Sequence, residues 1–301
     1  MPRFLTALAI VLATSLSAVA QAPPDVLKDL APTGKLRAAI NFGNGVLAQK
    51  GGDGEPRGIS VDLAAALADR LGVPVAYVIY PAAGKVFAAA QENAWDIAFI
   101  AVEPVRAADV EFTAPYVLIE GTYMVRRESP LRDVEDVDKP GIKIGVGLGS
   151  VYDLYLTRTL KHATLVRAPK GGAAGGIEPF VADKLDAAAG VREPLDAYAR
   201  DHREVRVMPG HFQEIRQAIA TPKGRLAGST YLHAFVEEMK ANGFVADALK
   251  RSGQTAPVAP QAWTWRGSPV AYQRREVVTP ARALDRGRIG SRRGCDRRRR
   301  R

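Results

Sequence analysis

Between Lys35 and Gly253 the chain alternates short apolar runs with amphipathic ones, and this rhythm limits the fold more than any other feature. Lys35–Ile40 is a short strand candidate, and Val75–Tyr80, β-branched and aromatic, reads as a strand. Between them Leu63, Leu67 and Leu71 recur at every fourth position, the spacing of one helix face. Ser60 is placed to cap that helix, Gly72 to end it and Pro74 to stop its continuation. Lys85–Glu92 reads as a further helix and Trp95–Ala101 as a buried strand. Repeated strand–helix order of this kind builds an α/β domain, a mostly parallel sheet with helices on its faces.

A second run follows a change of rhythm. Phe112–Val125 holds two extended stretches around Gly121. Ile142–Val146, Leu165–Arg167, Asp186–Ala189 and Val205–Met208 read as strands, and Ser150 to about Lys161, Pro179–Lys184 and Pro194–Asp201 as helices. Leu232, Phe235, Val236 and Met239 form one face of a last helix, which Asn242-Gly243 ends. Two α/β units joined by extended segments suit 301 residues at about 150 per domain.

The two ends fall outside this pattern. Arg3 precedes an apolar stretch, Phe4–Ala13, and then Ala18-Val-Ala20, a small-x-small sequence. That is the pattern of a signal peptide cleaved near Ala20, and it implies export to the periplasm. At the other end, residues 261–301 hold 13 Arg, no Lys and three acids, and so carry the entire formal excess of +10. The rest of the chain is balanced. A nucleic-acid partner would call for a basic face on the folded body, and none is expected. Residues 256–301 read as a disordered, self-repelling tail.

The side-chain inventory excludes much chemistry. The single Cys, Cys295, lies in that tail, so the body has no disulfide and no thiol nucleophile. His162, His202, His211 and His233 lack the spacing of metal ligands, and no metal or cofactor is expected. Gly145-Val-Gly147-Leu-Gly149-Ser150 follows a strand and opens a helix, but it is neither a dinucleotide fingerprint nor a P-loop. It can be a tight turn, or a helix start that receives a carboxylate. Arg106 follows the buried strand Trp95–Ala101 and could grip a carboxylate at the sheet's carboxyl edge. Spacing alone favours a solvated surface Arg.

Several stretches carry a resemblance. Gly58-Ile-Ser-Val-Asp62-Leu-Ala-Ala-Ala-Leu-Ala, Trp95-Asp96-Ile97, Pro104-x-Arg106, Val110-Glu111-Phe112-Thr113-x-Pro115-Tyr116, Gly149-Ser150 and Leu185-Asp186-Ala187 occur in that order. Together they resemble the family 3 solute-binding proteins of ABC importers, from about Gly34 to Gly253. The resemblance implies the type 2 periplasmic binding protein fold, α/β, with two lobes of mixed sheets and a two-crossing hinge. Lobe 1 would be 21–118 and 210–255, and lobe 2 would be 119–209. The hinge would lie near Glu120–Met124 and Val205–Gly210.

By the same resemblance Arg106 would hold a ligand carboxylate and Ser150 would face it from lobe 2, with Asn41, Phe42 and Asn44 as a wall. Amino-acid binders of the family place an Asp for the ligand's ammonium where this chain has Val191; Glu103 could substitute, and Arg192 could favour a second acidic group. The expected function is an extracytoplasmic receptor that closes two lobes over a small carboxylate, such as an amino acid. It would be a monomer that docks on an ABC permease in the inner membrane, and not an enzyme. The alternatives are a periplasmic dehydratase-like enzyme, with Glu103 as its acid or base, and a sensory binding module.

Overall fold

The structure, a computed structural model, describes residues 22–262 except Lys170 and Ala173. The expected signal peptide and the arginine-dense end lie outside the described residues.

After a short helix α1 (Pro24–Leu30), strand β1 (Leu36–Asn41) starts the sheet. A small hairpin, β2 (Gln49–Lys50) and β3 (Pro56–Arg57), leads into helix α2 (Ile59–Leu71). This helix starts earlier than expected. Its cap is Gly58 rather than Ser60, because the chain turns there at φ +113° and a Cβ would stand 2.7 Å from the Leu47 carbonyl. Leu63, Leu67 and Leu71 face the core, and Gly72 ends the helix in the left-handed conformation. Strand β4 (Val75–Tyr80), helix α3 (Ala83–Ala88) and strand β5 (Ile97–Ala101) follow, α3 ending before the expected Glu92. Both β4 and β5 run parallel to β1. Asp96 is fully buried just before β5. It receives the backbone N–H and guanidinium of Arg37 at 2.8–3.0 Å and Arg225 Nη1 at 3.0 Å, so its charge is compensated inside the fold.

Strand β6 (Val110–Phe112) leads to β7 (Val117–Arg126). The second unit then runs β8 (Lys143–Gly147), α4 (Val151–Thr159), β9 (Thr164–Ala168), α5 (Ile177–Ala182), β10 (Ala187–Val191), α6 (Arg192–Asp201) and β11 (Val205–Val207). Strand β12 (Gln213–Pro222) and helices α7 (Leu226–Ala241) and α8 (Phe244–Arg251) return to the first unit.

Along the sheet the order is β4-β1-β5-β12-β7-β10-β8-β9, with β6 on β12 and β11 on β7. It is mixed. The outer pairs are parallel, whereas β12 is antiparallel to β5 and β7, and β10 is antiparallel to β7. Its centre differs from expectation at one strand and holds another that the pattern does not show. The stretches around Gly121 are one continuous strand, β7, and Gly121 is where it changes partner, facing Gln213 on one side and Val191 on the other. A Cβ at Gly121 would press on the Phe212 ring at 3.0 Å. Strand β12 went unread, because Gln213, Glu214, Arg216 and Gln217 mask its apolar alternation.

Residues 256–262, expected in the tail, are held by the body instead. Val258 bridges Val117, the Ala259 N–H donates to the Tyr116 carbonyl at 3.0 Å, and Lys240 Nζ donates to the Pro115 and Pro260 carbonyls. Residues 256–262 therefore belong to the body.

Candidate functional site

A cavity of about 30 Å³ lies between the two halves of the sheet, at the carboxyl ends of β1 and β5 and the start of α4. Carboxyl ends of parallel strands are where α/β sheets present ligand sites, because the chain turns there expose loops and helix starts.

The first half contributes side chains. Residues 102–105 fold the chain back after β5: the Glu103 carboxylate accepts the Val105 N–H at 2.8 Å, and the Glu103 carbonyl accepts the Ala107 N–H at 3.0 Å. This turn drives Arg106 inward. Its side chain is fully buried, not solvated as spacing alone favoured. Nη1 donates to the Ala101 carbonyl and Nη2 to the Gly149 carbonyl of the other half, each at 3.0 Å. Nε has no partner. Among the described residues no carboxylate forms an ion pair with Arg106, and burial lowers its pKa to about 10. At neutral pH it is a buried, charged guanidinium facing a cavity. Asn41, Asn44 and Gln217 line the same space.

The second half contributes mainly backbone. Gly149 turns left-handed at φ +71° and meets Gly84 across the cleft, where a Cβ would stand 3.2 Å from the Gly84 Cα. Ser150 caps α4 by accepting the Asp153 N–H at 3.0 Å. Val151 and Tyr152, whose first-turn N–H groups have no acceptor within the helix, line the cavity with Val191. The glycines of Gly145-Val-Gly147-Leu-Gly149 also serve packing: a Cβ at Gly147 would lie 2.9 Å from the Gly172 carbonyl, so the loop can lie flat on β8.

Of the expected site residues, Asn41, Asn44, Arg106 and Ser150 meet at the cavity. Three do not line it. Phe42 packs against the main hydrophobic core. Glu103 is held by Arg158, from α4 across the cleft, as well as by Val105 N–H. Both its oxygens thus accept a bond within the protein. Arg192 pairs with Glu120 and donates to the Met208 and Gly210 carbonyls, tying α6 to the chain crossing before β12. Gln217 was missed because nothing local marks β12 as a central strand. Among the described residues no group of three or more His, Cys, Asp or Glu could hold a metal ion, and no helix is long and apolar enough to cross a membrane.

None of the curated proteins matches this chain. Solved structures do. A mutant of ArgBP from T. maritima aligns with a TM-score of 0.65 at 18% identity, covering 76% of this chain and 99% of that one. The ancestral amino-acid-binding protein AncCDT-1, described as a precursor of cyclohexadienyl dehydratase, aligns at 0.62 and 24% identity, covering 75% and 98%. AbpA from Streptococcus pneumoniae, an amino acid ABC transporter substrate-binding protein bound to L-arginine, aligns at 0.62 and 20% identity, covering 74% and 96%. The chain shares with them the two-lobed type 2 periplasmic binding protein fold. The family model of the bacterial extracellular solute-binding proteins, family 3, matches residues 47–254, and the chain belongs to that family.

Proposed function

We propose that this protein is the extracytoplasmic receptor of an ABC import system and holds a small carboxylate, the class that includes the amino acids, by closing two lobes over it. One observation carries the reading: the buried Arg106 guanidinium, which among the described residues has no Nε–H acceptor and no paired carboxylate, at a cavity between the halves of the sheet. A ligand carboxylate would supply the missing counter-charge. Residues 21–118 and 210–255 form lobe 1 and 119–209 lobe 2, with the crossings at β7 and just before β12 as the hinge. The mature chain starts near Gln21, works in the periplasm as a monomer, and presents its shut form to a permease in the inner membrane.

This reading implies a binding sequence. The carboxylate lands on Arg106 in lobe 1. Lobe 2 then brings the start of α4 down, adding backbone N–H donors that only the shut form offers. Because those contacts exist in one state alone, binding shifts the population toward it. The Arg158–Glu103 pair also spans the cleft and favours the shut form. Similarity to ABC transporter binding proteins, one of them bound to L-arginine, supports transport.

Isothermal titration of the protein and of Arg106→Ala with a panel of small acids tests the reading. Binding that survives the substitution would end it. A dehydratase-like activity, suggested by the likeness to AncCDT-1, would show as turnover of a cyclic carboxylate that Glu103→Gln abolishes. The engagement of both Glu103 oxygens argues for no turnover.

A further inference from the structure

We infer that the site selects a short hydroxycarboxylate, of the size of glycolate or lactate, over the corresponding amino acid. This rests on the reading of Arg106 as the carboxylate anchor and specifies what the rest of the ligand carries.

The charge around the cavity is one-sided. Among the described residues its lining contains one cation, Arg106, and no carboxylate. Of the acids on neighbouring elements, three are engaged with arginines: Glu103 with Arg158, Asp153 with Arg167 at 2.9 Å, and Glu120 with Arg192. A fourth, Glu193 in the first turn of α6, is outside the lining and keeps a buried Oε2 without a partner among the described residues. A monocarboxylate brings the closed site to neutrality. A zwitterionic amino acid leaves it one positive charge in excess, and a cationic one leaves two. Uncompensated charge in a closed, largely apolar space is what burial penalises most.

Hydrogen-bonding groups in the cavity narrow the choice further. Asn41 spends its Oδ1 on the Gly43 N–H at 3.0 Å and Asn44 its Oδ1 on the Val46 N–H at 3.2 Å, which leaves the NH2 ends of both side chains as donors. With Arg106 Nε–H and the first amides of α4, the wall is rich in donors and suits an anion. The exception is Gln217. Its Oε1 is buried without a partner, so the ligand must also present a group that can donate to it. A hydroxyl donates and accepts, and so it satisfies the Gln217 amide in either of its two orientations, whereas an ammonium only donates. Val191 and Ile100 complete the wall with apolar surface, and the cavity is too small for a long chain.

The experiment is calorimetric titration of the purified protein, its Arg106→Ala variant and its Gln217→Leu variant with L-lactate, propionate and L-alanine. These probes share one skeleton and differ only in carrying a hydroxyl, a hydrogen or an ammonium beside the carboxylate. We expect lactate to bind at least tenfold tighter than either of the others. In Gln217→Leu the lactate-to-propionate affinity ratio should fall at least tenfold. In Val191→Asp the preference should swing at least tenfold toward L-alanine. L-alanine binding as tightly as lactate, with loss in Arg106→Ala, would overturn this inference and leave the anchor intact. An unchanged lactate-to-propionate ratio in Gln217→Leu would overturn it too, and this arm holds if Val191→Asp does not fold. Failure of all three acids to bind, or binding indifferent to Arg106→Ala, would bring down the anchor and the inference together.

Discussion

The two walls of the cavity are built from different material. The wall from β1, β5 and β12 offers side chains: Arg106, Asn41, Asn44 and Gln217. The wall from β8, α4 and the loop at Gly172 offers main chain, a left-handed glycine turn and the first amides of a helix whose capping hydroxyl is already spent on Asp153. Side chains differ from one protein to another, whereas backbone donors are generic. Under the proposed function, the first wall would decide what is recognised and the second whether the cleft can shut. Substitutions on one side should change ligand choice and on the other the closing equilibrium.

The largest expected effect is on the first wall. Arg106→Ala removes a charge-assisted contact worth about 3 kcal/mol, about a hundredfold in affinity. The melting temperature of the empty protein should stay nearly unchanged, because a buried cation without a counter-ion contributes little to stability. A large drop in the thermal transition would mean that Arg106 is structural. Next comes the second wall. Gly149→Val places a β-branched residue at φ +71° and against Gly84, and should weaken every ligand by about tenfold without changing their ranking. A changed ranking in competition titrations would erase the distinction between the walls.

Arg158→Ala should have a smaller effect. It leaves the buried Glu103 carboxylate with only the Val105 N–H and releases a contact across the cleft. Dissociation should speed up several-fold in stopped-flow measurements, with the association rate little altered. The smallest effect lies far from the cavity, on α7. Burial lowers the pKa of His233 below its ordinary 6.5, so the folded protein binds fewer protons there than the unfolded chain. Its contribution is fully present above pH 6.5 and is lost as the pH falls below that value. Urea midpoints at about pH 7.5 and 5.5 should differ, and His233→Gln should narrow the gap while ligand affinity holds.

The amino-acid order settles the local events. The fourfold spacing of Leu63, Leu67 and Leu71 specifies α2, Gly72 its end, and the β-branched run at 75–80 a strand, because helix faces and strand runs are properties of neighbouring residues. Ser150 is legible as the cap of α4 for the same reason. Residue patterns also carry the likeness to a family, and with it the expectation that Arg106 matters. What the pattern does not contain is long-range partnership. Strand β12 exists because β5 and β7 flank it, so Gln217 entered the site unannounced. Glu103 and Arg192, both expected as ligand contacts by position, meet arginine or carboxylate partners 55 and 72 residues away and are spent there. Arg106 is the reverse case. Its neighbours in the chain suggest a surface residue, and only the turn at 102–105, with the opposing Gly149 carbonyl, buries it. Local geometry needs nothing beyond the chain's own neighbours, but desolvation and charge pairing depend on everything packed around a group, and the tertiary structure alone decides them.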